Sequence, residues 1–173
     1  MSLRPILIHP DPRLKKVAEP VARVTPEIES LAADMLATMY DAPGIGLAAP
    51  QIGVLSRIFV MDASRDPEAE RSPVVMINPE VTWESEALSV YDEGCLSIPD
   101  HYAEVTRPAQ VGMRWMGLDG KTHDQEFDGL WATCAQHELD HLEGILFIDH
   151  LSALKRQMIT RKMVKLKRDK ARA

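Results

Sequence analysis

The chain has 173 residues, of which 45% are hydrophobic and 27% are charged, and its formal net charge is −6. This composition is ordinary for a globular protein, and no stretch approaches the ~20 consecutive apolar residues of a membrane span, so we exclude the disordered and membrane classes. The apolar run at residues 6–8 is too short for the core of a secretory signal. We therefore expect a cytoplasmic protein with a single domain over residues 1–173.

The first half of the chain predicts one helix followed by strands. Thr25 is typical of a helix cap, Pro26 of a first helical position, and the apolar residues that follow keep a helical period as far as Pro43-Gly44. Residues 44–51 are rich in small side chains and indicate an extended loop or strand, whereas residues 63–73 indicate a surface loop. The predicted strands are residues 57–61, residues 74–77 up to Asn78-Pro79, and residues 81–91.

The second half predicts further strands and then two helices. Asp119-Gly120 is typical of a hairpin turn, Gly144 is expected to stop one helix, and Ser152 is expected to cap the next. Because strands and helices do not alternate, we predict an α+β fold in which mostly antiparallel sheets wrap around the first of these helices. The predicted strands are residues 103–105, 111–118 and 122–127, and the predicted helices are residues 130–143 and about 151–170.

The C-terminal helix carries much of the positive charge. Residues 155–173 contain nine of the 20 Lys and Arg residues and a single acidic residue, Asp169. Two interpretations stay open: the helix meets an anionic partner such as RNA, or it is a solvated helix whose cations stabilise its own C-terminal end. The rest of the chain is too acidic for a nucleic-acid-binding surface, so we expect no DNA partner.

The strongest chemical signal is the H-E-x-x-H pattern that starts at His137, within the predicted helix 130–143. His137 and His141 lie one turn apart on one face, so their two imidazoles can share one metal ion. The carboxylate of Glu138 can take a proton from a water molecule held by that ion. Because the flanking residues are apolar, we expect this helix to be buried and to bear a functional metal.

A catalytic metal site needs a third protein ligand and one open position. The metzincin pattern fails at Phe147, and the few acidic residues further on lie in a mostly basic segment, so the ligand is expected upstream. Cys134 lies seven residues before His141, about 10 Å along the helix axis, which is too far for ligands at 2.0–2.3 Å from one ion. Cys134 is therefore interpreted as a pocket wall. Cys95 follows a strand pattern and can approach the helix from another direction.

Three motifs, in this order and spacing, resemble the peptide deformylases. The likeness extends over nearly the whole chain, and the basic C-terminal helix resembles the type found in Gram-negative bacteria and organelles. The motifs are Gly44-Ile45-Gly46-Leu47-Ala48-Ala49-Pro50-Gln51, Glu93-Gly94-Cys95-Leu96-Ser97 and Gln136-His137-Glu138-Leu139-Asp140-His141.

The resemblance implies an enzyme that removes the N-formyl group from the initiator methionine of nascent chains and releases formate. It implies one divalent metal ion, usually Fe²⁺ in the cell, with Zn²⁺, Ni²⁺ or Co²⁺ as substitutes. Its partners would be N-formylmethionyl peptides and nascent chains. The implied metal ligands are Cys95, His137 and His141; Glu138 is the implied general acid and base, and the Gln51 side chain and the Leu96 backbone N–H are implied to hold the oxyanion.

Other residues of these segments fit substrate binding. Gly44, Ile45 and Gly46 would let a peptide backbone approach closely as an added strand, although a simple turn after Pro43 is the alternative. Some deformylases carry an arginine that binds the substrate backbone seven residues after the ligand cysteine, where this chain has Tyr102. Candidate walls of a pocket for the first side chain are Leu130, Thr133 and Cys134, for which core packing is an equally good interpretation.

Two other functions compete with deformylation. A metallopeptidase that cuts internal bonds also uses this helix pattern, but the missing downstream ligand disfavours it. A structural metal site with Cys134 as a fourth ligand, in a ribosome- or RNA-binding module, would account for the basic C-terminal helix. Contact between that helix and the ribosome is also compatible with a deformylase, because nascent chains emerge there.

Overall fold

The structure is a computed structural model, which describes residues 1–64 and 66–173. Short 3-10 turns span Pro12–Lys15, Ala49–Ile52 and Phe147–His150. The helices are α1 (Pro26–Asp41), α2 (Gly129–Leu142) and α3 (Ala153–Arg172), and the strands are β1 (Gly46–Ala48), β2 (Ile58–Met61), β3 (Val74–Glu84), β4 (Leu88–Cys95), β5 (Ile98–Pro108), β6 (Val111–Met116) and β7 (Thr122–Phe127).

The strands form two antiparallel sheets. Five strands follow the order β1-β2-β3-β6-β7, and β4 pairs with β5 in a separate two-stranded sheet. Helix α2 packs against β1 and β2 and also contacts β5. The predicted α+β fold, with antiparallel sheets around a central helix and with a C-terminal helix, is confirmed. Strand β1 lies at an edge of its sheet, so among the described residues only β2 pairs with it.

Local sequence signals set the helix ends. The Thr25 hydroxyl accepts a hydrogen bond from the backbone N–H of Ile28, and the Ser152 hydroxyl accepts one from Lys155, both at 3.3 Å. Gly144 follows α2 with a φ of +74°, and a Cβ at this position would lie 2.5 Å from the backbone oxygen of Lys15. Glycine is therefore required there, and the predicted caps and stop are confirmed.

Two predicted strand boundaries were wrong. Strand β3 continues through Asn78-Pro79, where Asn78 has a φ of +52° and the register with β6 shifts. The missing N–H of Pro79 is tolerated because β2 pairs with β3 only as far as Ile77. The predicted strand at residues 81–91 is split by a turn at residues 85–87, which contains no Gly, Pro or Asn to mark it.

The core holds α2 between the two sheets. Side chains of α2 pack with Phe59, Met61 and Met113 of the larger sheet, whereas the segment around Phe147 packs with β5 and with Met163 of α3. Consequently α2 is buried along most of its length, as predicted. Among the described residues, we find no helix whose length and apolar character would allow it to cross a membrane.

Candidate metal centre

A cavity of about 400 Å³ opens between three elements: the edge strand β1, the β4–β5 sheet and α2. Helix α2 contributes Thr133, Cys134, His137 and Glu138 to its wall, all of them buried. Polar and titratable side chains are normally kept out of a core unless they are paired. Their concentration at one cavity therefore marks it as the candidate functional site.

Three side chains of the types that ligate metals meet beside this cavity, and two of them, Cys95 and His137, line it. Ligand atoms of Cys95, His137 and His141 all lie within 4.8 Å of one another, and the Cys95 sulfur is 3.4 Å from Nε2 of His141. A tetrahedral ion with a sulfur at 2.3 Å and a nitrogen at 2.0–2.1 Å separates the two ligand atoms by about 3.5 Å. The observed spacing thus fits one ion shared by these three side chains.

Electrostatics at the two histidines also fit a cation. Burial lowers the pKa of His141 well below its usual range, which keeps this imidazole neutral, as a metal ligand must be. Burial alone would lower the pKa of His137, but its contacts with Cys95 and Glu93 raise it well above the usual range. The neighbours of His137 therefore favour positive charge there, whether a proton or a metal ion supplies it.

His137 is oriented by a buried carboxylate. Its Nδ1 donates to Oε1 of Glu93 at 2.9 Å, which leaves Nε2 to face the cavity. Glu93 in turn accepts two hydrogen bonds from Arg107, at 2.7 and 3.0 Å, and Arg107 also donates to Asp140 at 2.9 Å. Burial alone would raise the pKa of Glu93, but the hydrogen bonds from His137 and Arg107 lower it to about 2. The carboxylate is therefore charged and fixed.

Glu138 lies beside the ligands without a partner for one oxygen. Its Oε1 is 3.9 Å from Nε2 of His137, while its buried Oε2 has no hydrogen bond among the residues that the structure describes. Burial raises the pKa of Glu138 to about 7. A carboxyl group with this pKa can both accept and return a proton near neutral pH. This unpaired oxygen could accept a hydrogen bond from a water molecule at the open metal position.

Cys134 is close to this group but does not join it. Its sulfur lies 3.5 Å from the backbone oxygen of Ile45, and burial raises the pKa of the Cys134 thiol well above its usual range. A protonated thiol is a poor metal ligand. This geometry disfavours a closed site with Cys134 as a fourth ligand.

Gln51 is held so that its amide N–H groups point to the site. Its Oε1 accepts a hydrogen bond from the backbone N–H of Ala48 at 2.9 Å, and its Nε2 donates to the Ser97 hydroxyl at 3.1 Å and toward the Cys95 sulfur at 3.5 Å. Leu96 also lines the cavity, next to Cys95. The structure places the remaining predicted residues in the same wall; they are Gly44, Ile45, Gly46, Leu130, Thr133 and Cys134.

Comparison with known proteins identifies the family. A family model described as polypeptide deformylase matches residues 3–157. The chain belongs to the polypeptide deformylase family. The peptide deformylase of Mesorhizobium japonicum is 56% identical over 171 residues, which cover 99% of this chain and 97% of that protein, and that of Agrobacterium fabrum is 55% identical, covering 98% and 99%.

Solved deformylase structures share the fold. A crystal structure from Ehrlichia chaffeensis is 34% identical with a TM-score of 0.93, covering 98% of this chain and 99% of that chain. One from Legionella pneumophila is 44% identical with a TM-score of 0.90, covering 99% of both. The family consists of metal-dependent hydrolases that remove the N-formyl group from nascent peptides, and this chain is an enzyme of that family.

Sequence reasoning missed the support that this deformylase gives to His137. Glu93 stands two residues before Cys95, a spacing that predicts one shared face for a regular strand, and this signal could have found it even though the register with β5 shifts between the two residues. Arg107 and Asp140 could not be found in this way. Arg107 meets Glu93 only because β4 and β5 pair in one register. Asp140 meets Arg107 only because α2 crosses that sheet.

Proposed function

We propose that this chain hydrolyses the formyl amide of N-formylmethionyl nascent chains with Cys95, His137 and His141 as ligands of one divalent metal ion. The observation that carries the proposal is the meeting of these three ligand atoms within 4.8 Å, next to a buried carboxyl group. One thiolate and two imidazoles suit Fe²⁺, Zn²⁺, Co²⁺ and Ni²⁺. We propose Fe²⁺ in the cell, in line with the resemblance to deformylases.

Cys95, His137 and His141 would hold a divalent cation, which would supply Lewis acidity toward a water molecule and the formyl oxygen. Glu138 accepts a proton from the water molecule as the water oxygen attacks the formyl carbon. When the C–N bond breaks, Glu138 returns the proton to the methionine nitrogen, which leaves as a free amine, and the formyl carbon leaves as formate. Burial, which raises the pKa of Glu138, favours return of the proton to the leaving nitrogen.

Gln51 and Leu96 are proposed to stabilise the formyl oxygen as it gains negative charge. The hydrogen bonds with Ala48 and Ser97 fix the Gln51 amide, and the remaining N–H, which lies 3.5 Å from the Cys95 sulfur, is the one available to the formyl oxygen. The backbone N–H of Leu96 would be the second donor. Loss of one such donor typically raises the barrier by about 3–4 kcal/mol.

The substrate backbone is proposed to pair with the chain at the edge strand β1. Gly44, Ile45 and Gly46 line the cavity where β1 begins, and no further strand of the described structure pairs with that edge. Backbone pairing does not depend on the side chains of the substrate, which suits an enzyme that meets every nascent sequence. Leu130, Thr133 and Cys134 would then enclose the methionine side chain.

The direct test is release of formate from formyl-Met-Ala-Ala by anaerobically purified protein. We expect formate and free Met-Ala-Ala in equal amounts, and loss of activity after chelation with recovery on adding Fe²⁺ or Ni²⁺. Unformylated Met-Ala-Ala and an internal peptide bond serve as controls. Cleavage of either control would favour the metallopeptidase, and metal binding without formate release would favour the structural site.

We further propose that α3 contacts the ribosome in the cytoplasm. All nine Lys and Arg residues of positions 155–173 belong to this helix, and most of them are exposed. Such a surface attracts the phosphates of RNA, whereas the acidic remainder of the chain does not. This contact would bring the cavity near emerging N-termini.

A further inference from the structure

His150 stands at the outer end of a hydrogen-bond network that reaches His137. Its Nε2 donates to Oδ2 of Asp140 at 2.8 Å, and the same oxygen accepts the hydrogen bond from Arg107 at 2.9 Å. Arg107 donates to both carboxylate oxygens of Glu93, and Oε1 of Glu93 also accepts from Nδ1 of His137. This His150–His137 network is an unbroken path of polar groups from the protein surface to the candidate metal centre.

The network transmits position because its members share acceptors. One oxygen of Asp140 holds His150 and Arg107 together, and one oxygen of Glu93 holds Arg107 and His137 together. The guanidinium group of Arg107 between them is planar and rigid, so it fixes the two carboxylates relative to each other. Movement of the Asp140 carboxylate would therefore shift Arg107 and, through it, the carboxylate that orients His137.

The 3-10 turn at Phe147–His150 places His150 at the end of this network. Side chains three positions apart in a 3-10 helix lie on the same side, so Phe147 and His150 both face α2. The buried Phe147 ring stacks on the His137 ring, with the centroids 6.2 Å apart and the planes inclined by 25°. His150 lies outside the cavity lining, so it can act on the reaction only through its neighbours.

We propose that His150 is a positioning residue: through the His150–His137 network it holds the imidazole of His137 in place and thereby raises the affinity of the site for a divalent metal ion. The proposal rests on the proposed function, because it takes His137 as a metal ligand. Direct hydrogen-bond partners of metal ligands typically contribute about 10–100-fold to metal affinity. His150 lies further out, and its side chain is 37% exposed, so we expect a smaller contribution of about 3–10-fold.

The test measures the affinity of the folded protein for Ni²⁺ by competition with a chelator under anaerobic conditions. His150→Leu removes the N–H donor to Asp140, so we expect the affinity to fall by about 3–10-fold relative to the wild type. His150→Gln keeps an N–H donor at nearly the position of Nε2, and it should recover most of the wild-type affinity. Recovery by this conservative variant distinguishes a hydrogen-bonding role from a packing role.

A double-mutant cycle separates the network from the packing of the turn. Asp140→Ala removes the acceptor that links His150 to Arg107, so adding His150→Leu should lower the metal affinity no further. An effect that arose from packing of the turn would add to that of Asp140→Ala. His123→Leu is the matched control, because the 42% exposed side chain of His123 also contacts an aspartate, Asp119, at 3.1 Å. This pair lies outside the network, so the control should keep wild-type affinity.

Three results would overturn the inference while the proposed function stands. They are wild-type affinity in His150→Leu, a loss of affinity that His150→Gln does not restore, and a loss that persists at full size in the Asp140→Ala background. Formate release by the metal-loaded wild type checks the proposed function separately. If the wild type binds no divalent ion, the proposed function fails and this inference fails with it.

Discussion

At the residue scale, Glu138 shows how burial suits a carboxyl group to proton transfer. We expect Glu138→Gln to lower kcat by about 10²–10⁴-fold, because the amide cannot accept the proton of the attacking water. Metal content should stay that of the wild type, since Glu138 is not among the proposed ligands. Glu143→Gln is the matched control: Glu143 is exposed just after α2 and pairs with Arg57. A metal-loaded Glu138→Gln protein with wild-type turnover would contradict this role.

The same carboxyl group predicts how stability depends on pH in protein stripped of metal. Burial raises the pKa of Glu138 from 4.5 to about 7, so the folded chain holds this proton more tightly than the unfolded chain. The resulting stability is fully present below pH 4.5 and is lost as the pH rises through about 7. Glu138→Gln should therefore raise the Tm of the chelated protein more at about pH 8 than at about pH 5. An equal gain at both pH values would contradict the assignment.

Gly46 tests how tightly that carboxyl group is placed. A Cβ at Gly46 would lie 2.7 Å from Oε1 of Glu138 and 2.8 Å from the Cys134 sulfur. We expect Gly46→Ala to lower kcat by at least about 10-fold with the metal retained, because Glu138 must move away from the reacting water. Gly112→Ala is the control, because Gly112 lies on β6 and outside the cavity lining. Its Cβ would meet the Thr82 hydroxyl at 3.0 Å. Equal activity of the two variants would show that Glu138 tolerates displacement.

At the scale of the elements, sequence patterns predicted α2 and its candidate metal ligands but not the residues that orient His137. Helix caps, the helical period and the spacing of His137 and His141 are local, so they could be read from the sequence. The pairing register of β4 with β5 is not local, and Arg107 reaches Glu93 through that register. The continuation of β3 past Asn78-Pro79 was missed for a similar reason. The strand can continue because β2 pairs with β3 only as far as Ile77, whereas Pro79 taken alone predicts the end of a strand.

The buried pairs of Arg107 join β4, β5 and α2, and their loss should weaken both the fold and the metal site. We expect Arg107→Met to lower the free energy of unfolding by about 3–5 kcal/mol, because Glu93 keeps a buried charge without its partner. Adding Glu93→Gln should recover part of this loss. Metal affinity should fall by about 10–100-fold, because the orientation of His137 is loosened. Urea unfolding and a competition assay with a chelator measure the two effects.

Arg114 provides the control for that prediction. It pairs with Asp124 at 2.9 Å, but the side chains are 51% and 58% exposed. An exposed pair contributes about 0–1 kcal/mol, so Arg114→Met should leave stability and metal affinity nearly unchanged. If Arg107→Met behaved like Arg114→Met, the buried pairs would not support the site.

At the scale of the whole molecule, charge is divided between an acidic body and the basic helix α3. Deleting α3 would not test its role cleanly, because Met163 is fully buried against Phe147 and its neighbours. Replacing exposed cations on the intact helix avoids that problem. We expect the triple change of Lys162, Lys165 and Arg168 to Gln to weaken ribosome binding and to reduce its salt dependence. Turnover of a free formylated tripeptide should not change.

A second triple variant makes that test specific. Lys16, Arg23 and Lys121 are exposed cations outside α3, and their change to Gln alters the net charge by the same amount. We expect this variant to bind ribosomes like the wild type in co-sedimentation at several salt concentrations. If both variants lose binding equally, net charge and not α3 determines the association.

The central claim is that one sulfur and two imidazoles hold a single metal ion with a position left open. X-ray absorption at the edge of the bound metal, in anaerobically purified protein, tests it most directly. We predict one sulfur at about 2.3 Å and two nitrogens at about 2.0–2.1 Å, with the sulfur lost in Cys95→Ser and retained in Cys134→Ser. Two sulfurs in the wild type, or a sulfur that persists in Cys95→Ser, would contradict the account.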